Sequence, residues 1–169
     1  GMMEPFTALT YLAAHTKTVR LGTSICLITQ RNPVYTAKQV ADLDFLSNGR
    51  VNFGIGLGWL KEEFEALNVP WEQRGKRANE HIAVMKALWQ EEVSSFEGEL
   101  YQLPNCVMYP KPVQTPHPPI FVGGEGDAAL RRVADLAQGW MGAGVNPDEL
   151  VERIATLHGM LRERGRAPD

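Results

Sequence analysis

The chain has 169 residues, 44% of them hydrophobic and 22% charged, with a formal net charge of −3. That is enough apolar material for one globular core, and the lack of any basic run argues against a nucleic-acid partner. No apolar run approaches the roughly 20 residues of a membrane span, and no basic segment leads into an apolar one at the start, so a cytoplasmic protein is the expectation.

Gly1 ahead of two methionines reads as the remnant of a cleaved tag and is left out of the fold argument. Pro5 to Thr18 carries Phe6, Leu9, Leu12 and Ala13 near helical spacing, and Arg20 to Ile28, RLGTSICLI, reads as one continuous buried strand despite its Gly-Thr-Ser step. Asn32-Pro33 supplies a cap and first residue for a helix over Val34 to Leu46, which Ser47-Asn48-Gly49 ends. Arg50 to Leu57 is a second buried strand. A helical region then follows, broken at Asn68-Val69-Pro70 and resuming to Trp89.

From Glu91 to Pro119 the pattern changes, with five of the 11 prolines between Pro110 and Pro119 and only a short hairpin suggested by Phe96, Leu100, Tyr101 and Leu103. Ile120 to Gly124 is a third strand, Asp127 to Gln138 a helix, Gly139 to Ala143 a short fourth strand and Pro147 to Arg164 a terminal helix. Strand and helix alternate, which implies parallel strands covered by helices.

Glycines gather at three strand ends: Gly54, Gly56 and Gly58, then Gly123 and Gly124, then Gly142 and Gly144. Such glycines either let a ligand approach the backbone or serve turn chemistry alone. Gly123-Gly124-Glu125-Gly126-Asp127 follows a strand and opens a helix, where free N–H groups and the helix dipole favour a phosphate. Glu125 and Asp127 oppose an anion, and Asp127 also reads as a plain N-cap. Trp59 and Trp140 either wall a flat aromatic ligand or belong to the core. The four histidines are scattered and read as surface or packing residues. Cys26 and Cys106 read as free thiols, and no metal-ligand spacing is present.

In combination, RLGTSICLI, RNPVYTAKQVADLDFLSNGR, VNFGIGLGWLKEEFEAL, Gln73-Arg74-Gly75-Lys76-Arg77, PHPPIFVGG and ALRRVADLAQGW resemble, in order over nearly the whole chain, the bacterial luciferase-like monooxygenase family. The closest resemblance is to its deazaflavin (coenzyme F-420) dependent oxidoreductases. The resemblance implies a TIM barrel that holds the deazaflavin, or alternatively FMN, at the carboxyl ends of its strands. It also implies a bulge in the first strand with a non-proline cis peptide at Ser24-Ile25. Thr23, Ser24 and Ile25 would then back the cofactor ring, Gly56, Gly58 and Trp59 would lie beside it, and Gly123, Gly124, Glu125 and Gly126 would meet its phosphate. Many relatives carry Ser where this chain has Gly126.

A TIM barrel takes roughly 250 residues and eight strands, whereas four strands are legible here. The expected fold is therefore an α/β partial TIM barrel of about four parallel strands with flanking helices and a Pro-rich excursion. Residues 2–169 would form one domain lacking the family's first two and last two strands, with either a homodimer or higher oligomer, or the missing segments of a longer gene product, covering the open edges. The expected function is a flavin- or deazaflavin-dependent oxidoreductase, by hydride transfer or monooxygenation of a small organic substrate. The alternative is a non-catalytic cofactor-binding or dimerisation remnant. No residue reads as a catalytic acid or base.

Overall fold

The computed structural model describes residues 3–168, so Gly1, on which the reading of a tag remnant rests, lies outside them. Helix α1 (Pro5–His15) starts where the Glu4 carboxylate accepts the Thr7 N–H, and α2 (Pro33–Ser47) where Asn32 Oδ1 accepts the N–H groups of Val34 and Tyr35. Each has proline in its first turn, where the missing N–H costs nothing. Asn48, left-handed at φ 57°, stops α2.

The stretch read as one continuous strand is two: β1 (Leu21–Gly22) and β2 (Cys26–Leu27), followed by a 3-10 turn at Ile28–Gln30. Both pair in parallel with β3 (Val51–Gly56), Gly22 lying opposite Asn52 and Cys26 opposite Ile55. Four steps along the first strand thus pass three along its neighbour. The extra residue is a bulge at Thr23–Ile25, which includes a cis peptide bond between Ser24 and Ile25.

The chain continues through α3 (Lys61–Ala66), α4 (Arg74–Gln90), a hairpin of β4 (Ser94–Glu97) and β5 (Gln102–Cys106), then β6 (Ile120–Gly123), α5 (Asp127–Leu136), β7 (Gly139–Met141) and α6 (Pro147–Glu163). β3 pairs with β6 and β6 with β7, all parallel. Side chains alternate across this sheet. Phe53, Ile55, Ile120 and Val122, each at most 1% exposed, belong to the core with Val40, Leu43, Met85 and Leu130 from the helices. Each such burial contributes about 1.5–3 kcal/mol. The Phe53 ring lies 6.3 Å from Phe6 and meets Trp89 edge-on at 6.2 Å. The intervening positions on β3 and β6 are Asn52, Gly54, Gly56, Phe121 and Gly123.

Two carboxylates fasten the excursion. Fully buried Asp44 accepts the N–H groups of Val113 and Gln114 on Oδ2 at 2.8 and 2.9 Å, and the Gln114 side-chain amide on Oδ1 at 2.7 Å. Glu80 accepts the N–H groups of Glu99, Leu100 and Tyr101 at the hairpin tip. No helix among the described residues is long and apolar enough to cross a membrane.

Candidate functional site

At the carboxyl ends of the parallel strands, where α/β folds bind ligands, lies an open cleft of about 780 Å³. Its wall gathers Ser24 and Ile25 of the bulge, Gly58 and Trp59 after β3, and Gly123 to Gly126 between β6 and α5. The loop after β7, at Met141 to Ala143, completes one side. Of the residues singled out in the sequence, Thr23 and Gly56 are not on this wall. Thr23 is buried, its hydroxyl donating to the Gly54 carbonyl at 2.6 Å. Gly56 is covered by the Ile25 side chain.

The strand-end glycines make room chiefly for the protein's own atoms. A Cβ on Gly54 would collide with the Thr23 carbonyl oxygen, one on Gly56 with Ile25 Cδ1, and one on Gly142 with the Trp140 ring. Together Gly56 and Gly123 let Ile25 lie across the strand ends, where it remains 39% exposed as an apolar surface of the cleft. Gly58 and Gly124 have φ of +79° and +119°, values that a side chain would strain. Around Gly126 a Cβ would meet nothing within 4 Å.

Trp59 is 82% exposed, so it is not a core residue. Trp140 is half-buried off the wall, and its indole N–H donates to the Gly124 carbonyl at 2.7 Å. That bond fixes the loop. The Glu125 carboxylate accepts the Ala143 N–H at 3.0 Å, joining the loops after β6 and β7. Asp127 is not the cap expected from the sequence: Gly126 is the N-cap, no side chain caps α5, and Asp127 pairs with Arg153 at 2.9 Å. At the other end of α5, Lys86 donates to the Leu136 carbonyl and Arg166 to those of Val133, Ala134 and Ala137. The negative end of the helix is therefore covered by two cations, and the positive end is left to the cleft.

Two cationic wall residues escaped the sequence reading as site residues. Arg74, the first residue of α4, has its guanidinium 3.7 Å above the Trp71 ring centroid. Arg132 is only 7% exposed, and burial lowers its pKa from the ordinary value. Glu125 is the one carboxylate on the wall, which carries no His, Cys, Tyr or Lys. Both cysteines are free. Buried Cys26 has its thiol pushed up to about 11 by desolvation, with Glu4 adding to that shift and Arg31 opposing it. No cluster of metal-ligating side chains occurs among the described residues.

A parallel sheet with helices packed on it and a ligand-sized cleft at the strand ends defines an α/β protein of the barrel type. The model of the luciferase-like monooxygenase family matches residues 1–169, and the chain belongs to that family. It is 38% identical over 164 residues to an uncharacterized protein of Mycobacterium tuberculosis, covering 97% of this chain and 56% of that one. It is also 38% identical over 112 residues to the FMNH2-dependent dimethylsulfone monooxygenase of Pseudomonas putida, covering 64% and 31%. Among solved structures, the monooxygenase RslO1 from Streptomyces bottropensis superposes with a TM-score of 0.89 at 28% identity, over 98% of this chain and 51% of that one. The coenzyme F-420 dependent tetrahydromethanopterin reductase from Methanopyrus kandleri shares the fold, with a TM-score of 0.86 at 22% identity over 98% and 51%. The chain spans about half the length of the curated relatives it matches.

Proposed function

We propose that the cleft binds a phosphorylated flavin-type cofactor and that the chain serves a flavin-dependent oxidoreductase or monooxygenase acting on a small organic molecule. The observation that carries this reading is the convergence on one cleft of three segments distant in sequence: Ser24-Ile25, Gly58-Trp59 and Gly123 to Gly126. The donor set suits such a ligand. Ile25 and the exposed Trp59 offer apolar surface to a ring, while the uncapped first turn of α5 and the guanidinium groups offer N–H donors to a phosphate.

In this role Gly58 and Trp59 orient the ring, Gly123, Gly124 and Gly126 let the phosphate reach the backbone, and Glu125 holds the neighbouring loop in place. A bound flavin supplies the electron or hydride transfer. FMN is favoured over the deazaflavin because the Pseudomonas putida relative is FMNH2-dependent, whereas the F-420-dependent neighbour supports the fold alone. A second reading, a cofactor-binding module without turnover, is favoured by the wall's lack of a general acid or base other than Glu125. Exposed Tyr11, Leu12, Tyr35, Phe45 and Leu46 on α1 and α2 support association of two copies through that face.

Titration with FMN and with the deazaflavin, followed by fluorescence, tests the cofactor reading. Saturable binding of one cofactor per chain is expected, and absence of binding by both removes the reading. Reduction of the bound cofactor and its reoxidation by substrate would remove the module reading.

A further inference from the structure

Arg132 is a buried cation whose partners account for only part of its guanidinium. Nε donates to Asn79 Oδ1 at 2.6 Å and Nη2 to the Gly75 carbonyl at 3.1 Å, both neutral acceptors on the first turns of α4. No carboxylate pairs with it among the described residues. Nη1 makes no hydrogen bond there, yet no buried side-chain nitrogen is left unsatisfied. Nη1 is therefore open, and the residue stands on the wall of the cleft. A desolvated charge without a counter-ion is costly, so its retention requires a compensating partner.

A second observation points to the same spot. Helices α1, α2 and α6 have side-chain caps from Glu4, Asn32 and Asn146, whereas α3, α4 and α5 have none, and the first turns of α4 and α5 line the cleft together with Arg132. The first turn of α4 even carries a cation, Arg74, where the helix dipole disfavours one. Arg74 has no ion-pair partner among the described residues. Two nearby acids subtract little from this positive field. Asp127 is paired with Arg153, and Glu125 faces the Ala143 N–H.

We infer that Arg132 is the charge-selecting residue of the cleft, using its free Nη1 to hold the phosphate end of the ligand and so to prefer a phosphorylated over a dephosphorylated cofactor. The inference rests on the cofactor reading above. Arg74 is the outer partner of the pair, and Asn79 is a positioning residue that aims the guanidinium.

The test compares FMN with riboflavin, which has the same ring and no phosphate, by equilibrium titration of the whole chain and of Arg132→Met, Arg132→Lys and Asn79→Ala. The unsubstituted protein is expected to prefer FMN by about 10- to 100-fold, the range of a charged hydrogen bond. Arg132→Met should abolish that preference while leaving riboflavin affinity unchanged. Arg132→Lys, which keeps the charge without the fork, should retain part of it, and should answer the question if the methionine variant does not fold. Asn79→Ala should lower the preference less than Arg132→Met does. An unchanged preference in a folded Arg132 variant overturns the inference. If neither FMN nor riboflavin binds the unsubstituted protein, the cofactor reading fails, and inorganic phosphate then decides the role of Arg132. Thermal stabilisation by phosphate that Arg132→Met abolishes sustains it, and its absence from the unsubstituted protein overturns it.

Discussion

Asp44 and Arg132 are both buried charges, set at opposite ends of the sheet. Asp44, close to the start of β3, has both oxygens occupied by N–H donors from the Pro-rich segment, with Val51 N at 3.4 Å besides. Arg132, on the cleft wall near the strand ends, meets two neutral acceptors and has one guanidinium nitrogen, Nη1, without a partner among the described residues. The first arrangement ties the chain together. The second leaves part of a charge for something outside the chain, and the difference separates the end of the sheet built for stability from the end built for binding.

Substitution at Asp44 should have the largest effect on folding. Asp44→Ala leaves the buried Val51 N–H and the partly buried N–H groups of Val113 and Gln114 without this acceptor, and a loss on the order of 3 kcal/mol in urea denaturation is expected. Arg132→Met should do the opposite: ligand-free stability within about 0.5 kcal/mol of the parent or above it, although binding is lost. A destabilisation as large as that of Asp44→Ala would erase the contrast between the two charges.

The glycines of β3 sharpen the same contrast. Gly54→Ala drives a Cβ into the Thr23 backbone, and about 1–3 kcal/mol of destabilisation is expected from overpacking. Gly56→Ala collides only with the Ile25 side chain, Leu27 lying at ordinary contact distance, so its cost should shrink when combined with Ile25→Ala, a coupling that a double-mutant cycle reads directly.

The smallest effect expected is that of pH. Burial holds the imidazoles of His81 and His117 below the ordinary value of 6.5, partly offset by hydrogen bonds to the carbonyls of Ile28 and Pro118. The unfolded chain therefore takes up these protons first. Stability should be level above pH 6.5 and fall as the pH drops below it. Melting temperatures between pH 7.5 and 5 check this, and His81→Asn should flatten part of the slope.

Much of this architecture was legible because local chemistry and tertiary role agree. Asn32-Pro33 and Asn48-Gly49 bracket α2 as read, and β3 and β6 fall on the runs read as strands, with Phe53, Ile55, Ile120 and Val122 buried in the core. The hairpin fell where Phe96 and Leu103 suggested. The split of the first strand was not legible from its apolar run, because the one-residue shift against β3 is a property of the pair. Nor could the glycine pattern tell a ligand from Ile25 or the Thr23 carbonyl, since the close approach is made by atoms distant in sequence or on another strand. Arg132 did leave a trace. It falls within the buried stretch of Ala129, Leu130, Val133 and Ala134 on α5, a place where a cation needs a reason.

The most direct measurement is the affinity of the whole chain for FMN set beside that for riboflavin, read by quenching of flavin fluorescence at two ionic strengths. Saturable binding of FMN, weaker binding of riboflavin and a difference that narrows but persists at high salt, because Arg132 is buried, are the expected results. Equal affinities at both ionic strengths would contradict the division of the molecule into a satisfied end and a charge-bearing, ligand-seeking one.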